Sequence, residues 1–147
     1  MGYLDYPSEE EWKERQQWME VLIFKYEEKG SYVVSEQACA LIGEAQTTFC
    51  AGAWIAVIVL ATAAIDSQLR EVEVPGFKGN TKKLLKYVNA NPELQILRER
   101  RNRIVHIDIN NPAITITEQW DNQQYLEKQA RDAIERMLEL FFENPSI

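Results

Sequence analysis

Every residue from Ala45 to Ile65 is uncharged, and Phe49 to Ile65 alone is long enough to suggest a membrane span. Such a segment must either sit in lipid or be wrapped on all sides by the chain's own helices. Its composition favours the second. It is rich in alanine, carries Gln46, Thr47, Thr48 and Thr62, and is flanked by Glu44 and Asp66 where an anchor would carry Lys or Arg. It reads as the central, all-round-buried helix of a bundle, and no membrane partner is expected.

The remaining segments supply helices to surround it. Ser8 with Glu11 has the spacing of a capping box, opening a helix with Trp12, Trp18, Met19, Leu22, Ile23 and Tyr26 that should stop at Gly30. Ser35 caps the next, which runs through the apolar segment to about Glu73; Gly43 and Gly52 leave open whether this is one helix or two. After turn chemistry at Pro75-Gly76 and Lys78-Gly79-Asn80, a short helix fits Thr81 to Ala90. Asn91-Pro92 starts another, expected to end near Asn110-Asn111-Pro112. Ala113 to Thr117 reads as briefly extended. From Glu118 or Asp121 to Glu143 the helical pattern returns, with Leu126, Ala130, Ala133, Ile134, Met137, Leu138 and Phe141 on one face. The expected fold is all-α: a single bundle of about five helices over residues 1–147 with a long central apolar helix.

Cys39 and Cys50 lie eleven residues apart, about 16 Å along a helix, so they cannot bridge within it and are expected as reduced core thiols. The first residues lack the apolar core of a secretory signal, which points to the cytoplasm. One histidine and two such cysteines make no ligand set for a metal, and no glycine-rich phosphate loop is present, so neither metal nor cofactor is expected.

The chemistry concentrates in Leu97-Arg-Glu-Arg-Arg-Asn-Arg-Ile-Val-His106, four arginines and the only histidine of a chain whose net charge is -7. From Lys78 to His106 eight basic residues face two acidic ones, a local charge of +6, while the remainder holds eight basic and 21 acidic, or −13. That asymmetry suggests an anion, with phosphate the usual candidate, against the plainer reading of a solvated face paired with acidic helices. Helix phase sorts the arginines. With Leu94 at zero and about 100° per residue, Leu97, Ile104 and Val105 define an apolar face from about 280° to about 20°. Arg101, at about 340°, falls in its middle, while Asn102 and His106 are an i, i+4 pair on its flank and Arg103 points away. An unpaired guanidinium buried there would be very costly, so Arg101 needs an acid such as Asp66 or Glu44, a semi-exposed cleft, or a role.

Arg101-Asn102-Arg-Ile-Val-His106 resembles the R-x4-6-H signature of the HEPN superfamily in the form where Asn follows the Arg, and Ala53 to Arg70 is similar to the alanine-rich helix that precedes it in that family. The resemblance implies an HEPN-like helical bundle and metal-independent RNA cleavage, usually in a homodimer that brings two motif helices together. It assigns catalysis to Arg101, Asn102 and His106, and the neighbouring cations Arg98, Arg100, Lys82, Lys83 and Lys86 would meet RNA phosphates. An imidazole trades protons near neutral pH, and a guanidinium fork matches phosphate oxygens. Since each chain has one histidine, paired acid–base chemistry would need two copies. In toxin members paired with an antitoxin nucleotidyltransferase, a tyrosine stands two residues after the histidine; here that position is Asp108. The alternative is an inactive HEPN-like bundle that binds RNA, a nucleotide or a protein partner.

Overall fold

The computed structural model describes residues 6–143, which form seven helices: α1 (Glu9–Glu27), α2 (Glu36–Ala51), α3 (Trp54–Gln68), α4 (Thr81–Tyr87), α5 (Pro92–Val105), α6 (Ile116–Asp121) and α7 (Gln123–Phe141). The absence of a secretory signal expected at residues 1–5, and both ends of the bundle expected over residues 1–147, lie outside the described residues.

The uncharged segment is the centre of the bundle, but it is two helices. At Gly52 the backbone turns left-handed (φ 79°), and Ala53 N–H donates back to the Thr48 carbonyl at 2.9 Å, closing α2 in the manner of a Schellman cap. Arg15 of α1 reinforces that end: its guanidinium donates to the Cys50 carbonyl at 3.1 Å and lies 4.8 Å above the Trp54 ring. α3 then carries Trp54, Val57, Ile58, Ala61, Ala64 and Ile65 into the core, touching α2, α5 and α7. Of its two buried hydroxyl residues, Thr62 and Ser67, Thr62 bonds to the Ile58 carbonyl at 2.8 Å, which pairs it within the helix itself. A π-helical turn, Leu69–Glu73, extends α3 to the point where it leaves the bundle.

The capping box at Ser8 and Glu11 forms as expected, as do the caps at Ser35 and Asn91. All seven residues expected on the apolar face of the last helix are buried on α7. Between α1 and α7, Arg131 stacks on both Trp18 (4.7 Å) and Phe49 (5.2 Å) while holding Glu127 at 3.1 Å. At the opposite end Tyr26, Tyr32, Phe141 and Phe142 form an aromatic cluster.

Several expectations need correction. The described residues form seven helices where about five were expected, because the apolar segment breaks at Gly52 and the last helical stretch at Asn122. Cys50 is buried but Cys39 is exposed, so only one is a core thiol. Ala113 to Thr117 is not extended throughout, because Thr115 caps α6 by accepting the Glu118 N–H at 3.1 Å. The helix from Asn91 stops at Val105, well short of Asn110. Asp108 is the reason: its side chain accepts the Asn110 N–H at 3.1 Å and its carbonyl the Asn111 N–H at 3.2 Å, a local turn that competes with helix.

Candidate functional site

α5 starts where Asn91 accepts the Glu93 N–H and Pro92 fixes the first turn. Its inward face is thin. Leu94 is buried, Leu97 and Ile104 are partly buried against the core, and Val105, expected on that face, is exposed. Arg98 is buried as well, at about 40° on the same scale, just beyond the edge of the expected stripe.

The four arginines of this helix have different fates. Arg98 donates through Nε to the Gln95 side chain at 2.9 Å and lies 3.5 Å from Glu99. Gln95 in turn donates to the Lys82 carbonyl at 3.0 Å, so this cation belongs to the joint between α4 and α5. Arg100 donates to the Ala113 carbonyl at 2.7 Å and faces the Glu118 carboxylate at 3.8 Å. Arg103 donates to the Asn111 side chain at 3.3 Å. Both of these hold the chain that returns from His106 toward α6. Arg101 has no ion pair or hydrogen bond to its side chain among the described residues and is partly exposed.

The acids suggested for Arg101 are engaged elsewhere or remote from such a role. Asp66 accepts from Arg70 Nε through both oxygens at 3.0 Å and from the Thr81 hydroxyl at 2.8 Å. Glu44 is exposed and makes no ion pair among the described residues. Of the three explanations for an arginine on this stripe, the internal salt bridge is therefore not the one realised.

Asn102 lies partly buried on the last turn of α5, and its carbonyl accepts the His106 N–H at 2.9 Å. His106 does not continue the helix as the i, i+4 reading assumed. It is the extended C-cap (φ −115°, ψ 118°), with its side chain exposed. Arg101, Asn102 and His106 thus sit within the final turn and the exit of one helix, joined through backbone with no side-chain bond between them. Lys82, Lys83 and Lys86 lie on the exposed side of α4, and none is ion-paired among the described residues.

Just after His106 in the chain Ile107 is 93% exposed and Ile109 90%, and on α6 Ile116 and Trp120 are exposed too. Nothing in the sequence marks these side chains as exposed, since residues 107–110 read as helix and Ala113 to Thr117 as briefly extended. Nor does the sequence mark Glu118 as the partner of Arg100, although Thr115 and Glu118 have capping-box spacing. Among the described residues no cluster of His, Cys, Asp or Glu could hold a metal ion, and no helix is long and apolar enough to cross a membrane. Compared with known protein families, curated proteins and solved structures, the chain matches none.

Proposed function

We propose that the chain is an HEPN-type, metal-independent endoribonuclease that cleaves RNA at a composite site between two copies, each contributing Arg101, Asn102 and His106. The observation that carries this reading is Arg101, whose side chain has no partner among the described residues. Asp66, the acid best placed in sequence to neutralise it, is committed to Arg70 and Thr81, while the neighbouring Arg98, Arg100 and Arg103 all have partners inside the chain. A guanidinium left free beside an exposed imidazole suits an incoming phosphate.

In this reading a 2′-hydroxyl attacks its own phosphate after losing its proton to one His106, the other His106 protonates the departing 5′-oxygen, and Arg101 balances the charge gathering on phosphorus. The second copy is supported by the exposed Ile107 and Ile109, which directly follow the motif, and by the exposed Ile116 and Trp120 on α6, apolar surface that a symmetric partner would bury.

Purified protein incubated with mixed single-stranded RNA in excess chelator is expected to cleave it, and His106→Ala or Arg101→Ala to lose at least about 100-fold in rate. Ile109→Asp should shift the protein to monomer in sedimentation and lose cleavage with it. Cleavage of equal rate in wild type and both motif variants would end this reading. Asp108 favours the second one, a bundle that binds RNA, a nucleotide or a protein without cleaving: its exposed carboxylate two residues from His106 repels phosphate. Absence of cleavage by wild type would support it.

A further inference from the structure

The side of α4 away from the core is a second cationic surface. Leu84 and Leu85 are buried, which leaves two rows on the outside, Lys82 with Lys86 and Lys83 with Tyr87. Tyr87 is 69% exposed, a large ring among cations that have no acid partner among the described residues. Its ring centre is 5.3 Å from that of Phe77, tilted by 47°, and Phe77 is itself packed against the core. Tyr87 is therefore backed on one side and open on the other.

The turn holding Phe77 is built to keep it there. At Gly79 the backbone has φ +148°, and a Cβ would lie 3.0 Å from the Phe77 ring and 3.5 Å from the Lys83 stem, so only glycine lets the three lie together. Arg70, fixed by Asp66, donates to the Gly79 carbonyl at 2.8 Å, and Asn80 caps α4 by accepting the Lys83 N–H at 2.9 Å. An exposed ring resting against core-packed Phe77, beside lysines with no acid partner among the described residues, is the combination that binds unpaired bases and their phosphates together. An acidic peptide would use the lysines and leave the ring idle, and a duplex would hide its base faces.

We propose that α4 is a docking platform for single-stranded RNA, with a base stacked on the Tyr87 face and neighbouring phosphates met by Lys82, Lys83 and Lys86. This rests on the reading that RNA is the ligand. The Gln95 bond to Lys82 places the platform beside the first half of α5, and Arg101 lies six residues further on, about 9 Å along the helix axis. A strand held here would have its scissile bond a few nucleotides away, so the platform selects single strands and sets where they are cut.

The test uses full-length protein and a fluorescein-labelled 12-nucleotide RNA of mixed sequence, with binding read by anisotropy in chelator and a duplex of the same sequence as comparison. Tyr87→Ala is expected to weaken single-strand binding about tenfold, Tyr87→Phe to retain it, and the duplex to bind more weakly. Replacing the three lysines by Gln should flatten the dependence of log K on log salt by about 2. Tyr87 is exposed, so unchanged melting of its variants separates binding from folding. Binding unaffected by Tyr87→Ala, equal loss in Tyr87→Phe, a duplex bound as tightly as the single strand, or no RNA binding at all would overturn the platform. If His106→Ala still cleaves while Tyr87→Ala weakens binding, cleavage at His106 fails and the platform stands. If cleavage needs His106 but binding ignores Tyr87, the platform alone fails.

Discussion

Gln68 is buried at the end of α3, and both ends of its amide are used: Oε1 accepts the Ser35 N–H at 3.2 Å and Nε2 donates to the Val33 carbonyl at 2.7 Å. One side chain thereby satisfies two backbone groups of the α1–α2 connection, the N–H of buried Ser35 and the carbonyl of exposed Val33. Gln68→Leu keeps the volume and strands both groups, so it should lower stability by about 2 kcal/mol in urea denaturation. A loss of a few tenths would mean that water reaches this joint. The same logic separates the arginines of α5. Their identity is plain in the sequence, but Arg98, Arg100 and Arg103 are spent on partners up to 18 residues away, as with Arg100 and Glu118. Arg101 is distinguished only by what it does not touch.

At the scale of elements, α6 shows how local chemistry makes a helix that a hydrophobic pattern hides. It buries no residue, so its six residues depend on the Thr115 cap, on the Arg100–Glu118 contact and on α7 beside it. Thr115→Ala should cost about 1 kcal/mol locally, seen as roughly fivefold faster amide exchange over residues 116–121 with little change in overall melting. Unchanged protection would show that α7 alone holds α6. Gly52 makes the converse point. Glycine at that place announces a possible break in the apolar segment, but Gly43 announces the same and lies inside α2. Only Gly52 meets a neighbour, Arg15, that holds the chain in the left-handed turn.

At the scale of the whole molecule, the aromatic cluster joining α1, the following loop and α7 makes the fold sensitive to base. Burial pushes the Tyr26 and Tyr32 phenols above the ordinary tyrosine range, with Glu139 and Glu135 adding to the effect at Tyr26 and Cys39 and Glu27 at Tyr32. Folded-state values above the unfolded ones mean that the unfolded chain releases these protons first. The stability tied to the neutral phenols is therefore complete below the unfolded value of about 10 and is lost as pH rises through the folded values. Melting temperature should fall as pH climbs past about 10, and the Tyr26→Phe, Tyr32→Phe double variant should fall less steeply. An equally steep fall in that variant would place the alkaline weakness elsewhere, for instance at the Cys50 thiol, which burial also raises.

Periodicity and end signals in the sequence determined that the chain is helical, that the uncharged segment lies at its centre, and that α7 presents Leu126 to Phe141 inward. These follow from local propensity and from the cost of exposing apolar surface, which act along the chain wherever it folds. The tertiary structure decided the rest. It chose Gly52 over Gly43 as the break and ended α5 at Val105, where the Asp108 turn outcompetes helix. It gave Asp66 to Arg70 and Thr81, left Arg101 without a partner among the described residues, and exposed His106 at the exit of the same helix. Which charges pair is a matter of distance between elements far apart in sequence, and no residue carries that distance in its own identity.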